Sequence, residues 1–301
     1  MILLFGYGDD DALTLTQEAA EQLGVPHLLA DQRRIDELSL TVRMVDEGAT
    51  GELRVGKSSI PLAAIDGVYA RPLAPVAGAD PGSLDRAHAL SEALTGWLDA
   101  TSARVVSRPS AMASNGSKPY QAQRIAGSGF LVPETLVSSS PDEVRAFWRM
   151  HGEVIFKSTS GIRSIVRRLD ETAARSLDRL AHLPTQFQAL VPGVDVRVHV
   201  IADEVCATEI RSRAVDYRYA CREGIETELV PCTLPEPVAR RCVTLARDLG
   251  LPLAGIDLRR RPDDEYVCFE VNPMPGFSYY QAHTGQPIAT HLVRYLAGIG
   301  N

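Results

Sequence analysis

Hydrophobic positions along the first hundred residues switch between a period of two and a period of 3.6. Residues 2–5, Ile-Leu-Leu-Phe, form an apolar run that stops at Gly6-Tyr7-Gly8. Leu13, Thr16, Ala20 and Leu23 share one face of a helix over residues 12–23, which Gly24 ends. Residues 25–30 make a second strand, so the chain opens as βαβ and a parallel sheet is expected. Residues 52–62 alternate around Gly56-Lys57 as a small hairpin, and residues 65–70 are a strand leading into Arg71-Pro72. Leu84, Ala87, Leu90, Leu94 and Trp97 lie on one face of a long helix over residues 84–98. Val105-Val106 completes this unit near Ser107, and Arg108-Pro109-Ser110 reads as a linker.

Beyond the linker, Ser117 is a good N-cap for a helix to Ala126, with Gly127 or Gly129 after its end. A strand begins within residues 132–135. Ser140, Pro141 at the first helical position and Glu143 at the third signal a helix to about Met150. Residues 153–157 are a strand ending in Lys157, before Ser158-Thr159-Ser160-Gly161. A strand over 164–169 and a helix over 170–180 follow. Residues 185–191 and 195–201 are strands separated by Pro192-Gly193, and 205–211 is the next. Helices over 235–249 and 286–296 complete the pattern. The fold class is α/β, grading to α+β after the first domain, with divisions at 1–107, 108–185 and 186–301.

The most informative stretch is residues 253–271. Two apolar runs, 253–258 and 266–271, flank a charged turn over 259–265, the signature of a β-hairpin with a longer loop. Alternation puts Glu270 and Asn272 on one face of their strand, and in-register pairing brings Asp257 to the same face. Two carboxylates and an amide oxygen are hard donors, suited to Mg²⁺. Read alone, the same stretch also fits a solvated strand edge with scattered acids.

Composition narrows the classes. A net charge of −7 over 301 residues, with no basic stripe, speaks against a nucleic-acid partner. The triplet Arg259-Arg260-Arg261 falls on the predicted turn and reads as a solvated loop. Five cysteines without CxxC spacing suggest neither a disulfide framework nor a zinc site, which points to a reduced, cytoplasmic setting. The four-residue apolar run at the start is neither a signal peptide nor a membrane span. Gly6-Tyr7-Gly8 lacks the third glycine of a dinucleotide fingerprint and reads as a tight turn, so a nicotinamide-dependent oxidoreductase is disfavoured.

Lys118 before a helix, Lys157 at a strand end, Arg197, Arg211 and the oxygen set of Asp257, Glu270 and Asn272 together supply what a nucleoside triphosphate needs. In this order and spacing, with Pro192-Gly-Val-Asp195-Val-Arg197, Gly255-Ile-Asp257 and Glu270-Val-Asn272-Pro-Met-Pro-Gly276-Phe277, the stretch over 118–296 resembles the ATP-grasp superfamily. The resemblance is to the branch of ribosomal-protein glutamate ligase and glutathione synthetase. Tyr69-Ala-Arg71-Pro72, Ala214-Val-Asp216-Tyr-Arg218 and Thr284-Gly-Gln-Pro287-Ile288 look like the ATP-grasp maturases that crosslink ribosomally made peptides.

The resemblance implies ATP and Mg²⁺ as cofactors, with Mn²⁺ as a substitute, and a carboxylate substrate joined to an amine or hydroxyl acceptor, a peptide among the candidates. Lys118 and Lys157 would contact the α- and β-phosphates. Gln188, Ala189 and Leu190 would line the adenine, the last two through backbone groups. Asp195 would stand beside the ribose. Arg211 would face the γ-phosphate and the acyl-phosphate, with Arg197 nearby, and Asp257, Glu270 and Asn272 would hold the metal. The loop after Lys157 is poorer in glycine than the family's usual phosphate-covering loop, with Arg163 as a compensating charge, and Gln188 stands where an acid is frequent. A free amino-acid or dipeptide ligase, and a non-catalytic nucleotide-binding module, are the alternatives. No membrane partner is expected, and a homo-oligomer is open.

Overall fold

The computed structural model describes residues 1–46, 48–74, 81–158, 166–212 and 226–300. Gly161, Arg163 and residues 214–218, singled out above, lie outside the described residues. The chain begins with β1 (Ile2–Gly6), α1 (Asp11–Gln22), β2 (His27–Asp31), β3 (Leu38–Val45), β4 (Gly48–Val55), β5 (Ser58–Pro61), β6 (Gly67–Arg71), α2 (Pro81–Ala100) and β7 (Arg104–Val106). Strands β2-β1-β6-β7 form a parallel sheet, and β3-β4-β5 a small antiparallel one beside it. The order reverses between β1 and β6, so the carboxyl ends of these two strands open onto the crevice where α/β sheets usually place ligands. Asp10 caps α1 there, accepting from the Ala12 and Leu13 amides.

The middle of the chain contains α3 (Pro109–Met112), α4 (Lys118–Gly127), β8 (Thr135–Ser138), α5 (Pro141–His151), β9 (Val154–Ser158), β10 (Arg167–Arg168), α6 (Glu171–Ala174) and β11 (Thr185–Ala189). The expected linker is thus itself a helical turn. The helix expected over 170–180 breaks after Ala174 into a 3₁₀ segment, Leu177–His182. Leu177 and Leu180 are both buried, and a spacing of three suits a 3₁₀ turn. Strands β10-β9-β11-β8 form an antiparallel sheet.

The last third is β12 (Val194–Ile201), β13 (Glu204–Ser212), β14 (Thr227–Cys232), α7 (Glu236–Asp248), β15 (Leu253–Arg260), β16 (Tyr266–Asn272), α8 (Ser278–Thr284) and α9 (Ile288–Ala297). The five-stranded order β14-β13-β12-β15-β16 is antiparallel throughout. Its two faces differ. Val196, Val198 and Val200 point to a core shared with Val238, Cys242 and Leu245 of α7. On the opposite face, Ile201 and Leu253 pack with α1, α8, α9 and the parallel sheet, and the strands carry charges nearer the Pro192-Gly193 turn. Among the described residues no helix is long and apolar enough to cross a membrane.

Candidate active site

The charged face of the five-stranded sheet is laid out by alternation along β12. Asp195, Arg197 and His199 follow one another at every second position, opposite Arg259, Asp257 and Gly255 of β15. Asp257 in turn pairs with Glu270 of β16, and Gly255 with Asn272, so the three expected oxygen donors do converge on one face. A register irregularity sits between Asp257 and Leu258, where the ladder is re-aimed.

Arg197 is buried, and its Nη1 donates to Asp257 Oδ1 at 2.7 Å. Direct opposition across the two strands brings these groups closer than i, i+2 spacing along one strand does. The guanidinium passes directly over Gly255. A Cβ there would come within 2.6 Å of Pro275 Cβ and of Arg197 Cζ. Tyr280 stacks beneath, its ring 5.8 Å from the Arg197 guanidinium and 4.9 Å from the His199 ring. His199 is fully buried with neither ring nitrogen in hydrogen-bond geometry. Burial first, and then the Arg197 charge, hold its pKa well below the usual histidine value, and the Gly276 backbone offsets this only in part.

Lys118 reaches Glu270 at 3.9 Å from the first turn of α4. The helix is fastened there by Gln121, which the sequence reading passed over. Its buried amide donates to the Val271 carbonyl at 2.8 Å and accepts from the Val271 amide at 3.0 Å, completing the edge of β16 as another strand would. A cavity of ≈ 350 Å³ between β16, α4 and the middle sheet is lined by Lys118, Lys157, Gln188 and Glu270. A second cavity of ≈ 100 Å³ shares Lys157, Gln188 and Glu270 with it and adds Asp195, Arg197 and Asp257.

At three of the expected positions the structure shows partners within the protein. The Ala189 amide donates to the Glu134 carbonyl and the Leu190 amide to that of Glu153, both at 2.9 Å, so neither amide is available to a base. Asp195 is held by Arg259 through two parallel bonds of 2.7 and 2.8 Å, and Arg259 also donates to the Val191 carbonyl. The expected solvated turn therefore starts later: β15 runs through Arg260, and Arg259 is a half-buried fork against Phe269. Four apolar or arginine stems in a row hide this from pattern reading. Arg211 lies at the parity of Glu209, on the α7 side of the sheet. It is exposed, is paired with Glu209 at 2.9 Å and Glu228 at 3.3 Å, and lines a cleft of ≈ 1210 Å³ with Leu190, Asp195 and Arg259, while Arg197 and Asp257 line the smaller one.

The donor set suits a hard divalent cation. Asp257 and Glu270 stand side by side, each with one cation close by, and both keep part of their surface open, 33% and 28%. Asn272 Oδ1 accepts from the Met274 amide at 2.9 Å, which fixes the orientation of the third donor. Among the described residues no cluster of three His, Cys, Asp or Glu could hold a metal, so an amide third ligand is what this site offers.

Known proteins share this architecture. The family model for the RimK-like ATP-grasp domain matches residues 117–296. The ribosomal protein bS6–L-glutamate ligase of Escherichia coli O81 is 27% identical over 197 residues, covering 62% of this chain and 65% of the relative. The curated relatives are thus matched over slightly less than two thirds of their length. The solved ATP-grasp ligase PsnB, complexed with a phosphomimetic variant of minimal precursor, Mg and ADP, is 26% identical with a TM-score of 0.81, covering 99% of this chain and 98% of that one. The macrocyclase MdnC from Microcystis aeruginosa MRC, bound with precursor peptide MdnA, shares the fold at 19% identity and a TM-score of 0.82 over the full length of both chains. With more than half of its length matched by that family model, the chain belongs to the RimK-like ATP-grasp family.

Proposed function

We propose that the protein is an ATP-dependent ligase that activates a carboxylate as its acyl-phosphate and joins it to an amine or hydroxyl of a peptide. The observation that carries the reading is the ladder pair Asp257–Glu270, which has Arg197 beside it on the neighbouring strand and shares its cleft with Lys118 of α4 and Lys157 of the middle sheet. A substrate carboxylate oxygen attacks the γ-phosphorus of ATP, the bond to the β-phosphate oxygen breaks, and ADP leaves. The acceptor then attacks the acyl carbon, phosphate departs, and the acceptor's proton passes to solvent. Asp257, Glu270 and Asn272 would hold Mg²⁺, for which Mn²⁺ would substitute, and the metal supplies charge neutralisation at the phosphates.

The chain's own cations do the remaining work. Lys118 and Lys157 hold the α- and β-phosphates, and Arg197, locked on Asp257, presents fixed positive charge to the cleft. Gln188 lines both cavities and, with the backbone about Ala189 and Leu190, flanks the base. Asp195 reaches the ribose only as the partner of Arg259. Arg211, on the other face, is left at the rim rather than on the γ-phosphate. The three divisions at 1–107, 108–185 and 186–301 serve as a recognition domain, a lid and the nucleotide floor, the lid excluding water from the acyl-phosphate.

A peptide substrate is favoured because the likeness to PsnB, complexed with its precursor, runs through the N-terminal unit as well. The curated glutamate ligases support the second reading, addition of a free amino acid. Incubation with MgATP, free glutamate and a short acidic peptide bearing Ser, Thr or Lys separates them by mass spectrometry. Loss of one water per bond with ADP formation supports crosslinking, mass gain from added glutamate supports the alternative, and AMP formation would sink both.

A further inference from the structure

Tyr69-Ala-Arg71-Pro72 is a motif that the nucleotide cleft does not use, and it lies outside the stretch matched by the family model. Arg71 ends β6 beside Gly6 of β1, at the reversal point of the parallel sheet. It is largely buried and has three partners. Its Nε donates to Asp10 Oδ1 at 2.9 Å, and its Nη1 to the Tyr69 hydroxyl at 3.3 Å and to the Pro275 carbonyl at 3.1 Å. Pro275 lies 204 residues away, in the loop that leaves β16 just after Asn272. Ser107, at the end of the first unit, donates to the Pro273 carbonyl of the same loop at 3.2 Å.

These two bonds pin the loop on either side of Met274. The Met274 amide is the group that orients Asn272 Oδ1. The Pro275 ring packs against the space over Gly255 through which Arg197 reaches Asp257. Asn272 therefore takes its orientation from a loop whose carbonyls are held by the N-terminal unit, and the same loop borders the guanidinium that holds Asp257. An unpaired arginine in this position would be costly, and Asp10 removes that cost by countering the charge while itself capping α1.

We propose that Arg71 is a positioning residue for the metal and phosphate site, acting from the N-terminal unit through the carbonyl of Pro275 on Asn272 and on the Arg197–Asp257 pair. The parallel sheet thus builds the reacting centre as well as facing the acceptor. A peptide docked at the carboxyl ends of β1 and β6 would meet the same arginine, which couples its arrival to the geometry around the metal. This rests on the reading of the cleft as a Mg²⁺ and nucleotide site.

The test is calorimetric titration of ADP into the full-length protein, with and without Mg²⁺. The wild type should bind ADP more tightly with Mg²⁺ present. Arg71→Gln should bind ADP alone within twofold of wild type and lose about tenfold of the gain from Mg²⁺, as outer partners of metal ligands typically do. Arg71→Lys, which can still reach one carbonyl, should recover part of it. Ser107→Ala should shift the gain in the same direction by less. If Arg71→Gln does not fold, the neutral pair Asp10→Asn/Arg71→Gln replaces it with the same expectation. A folded Arg71 variant with the full Mg²⁺ gain overturns the proposal, as does loss of ADP affinity equal with and without the metal. A wild type whose ADP binding ignores Mg²⁺ instead overturns the reading of the cleft.

Discussion

The two faces of β12 are made by alternate residues of one strand, and they hold opposite kinds of chemistry. Val196, Val198 and Val200 are dry and pack on α7. Asp195 and Arg197, one position along, carry charge into a partly closed cleft, and His199 beyond them is buried against Tyr280. The first face is stabilised by apolar area and tolerates any shape that fills it. The second pays desolvation for each charge and tolerates little, because breaking one partner of a buried pair leaves the other unpaired. Such an arrangement costs stability and is expected only where charge has a task, which supports the proposal that this is the reactive face.

The contrast can be broken experimentally. Glu270→Ala should have the largest effect: loss of a metal donor removes several kcal/mol of charge stabilisation, about a thousandfold in ADP-forming turnover, with the thermal midpoint little changed. Gly255→Ala should follow. Its methyl displaces Arg197 from Asp257, and a shift of about 1 Å at a reacting centre costs about a hundredfold in kcat, measured by the same assay. Val198→Ala, on the dry face, should behave in reverse, losing about 2 kcal/mol in denaturant unfolding while the folded fraction keeps its kcat.

His199 gives a pH test. Its folded pKa is lowered, so the folded protein holds it neutral while the unfolded chain takes a proton near pH 6.5. Its contribution therefore weakens stability as pH falls below about 6.5, by about 1.4 kcal/mol per pH unit down to the folded pKa. His199→Gln should flatten that slope in urea titrations run from pH 7 to 5. The smallest effect belongs to Arg211→Gln. With its side chain 55% exposed and its partner Glu209 also held by Arg260, stability should be unchanged and Mg²⁺-dependent ADP affinity should move by less than about threefold. A hundredfold loss there would return Arg211 to the phosphates and erase the distinction between the faces.

Much of this was readable in the chain, for definite reasons. Asp257, Glu270 and Asn272 declare themselves because β-alternation is local and the two apolar runs set the register. Ser140, Pro141 and Ser117 mark helix starts by chemistry confined to four residues. Strand β3 escaped because Ser39, Thr41, Arg43 and Met44 leave it largely exposed, and β14 because Pro231 sits in it, tolerated at a sheet edge. Arg259 was hidden by Arg260, Arg261 and Pro262, which read as a turn. Asp195, 64 residues away, and the Val191 carbonyl hold its side chain once it is in the strand. The grip of Arg71 on Pro275 and of Gln121 on Val271 likewise depends on tertiary contacts that no periodicity carries.

The central claim, that the charged face activates a carboxylate by phosphoryl transfer, is tested most directly by following oxygen. A peptide substrate whose side-chain carboxylates carry heavy oxygen is turned over with MgATP, and the released phosphate and nucleotide are weighed. The account predicts one heavy oxygen in inorganic phosphate for each bond formed and none in the nucleotide. Heavy oxygen in AMP, or bond formation that leaves the phosphate unlabelled, would contradict it.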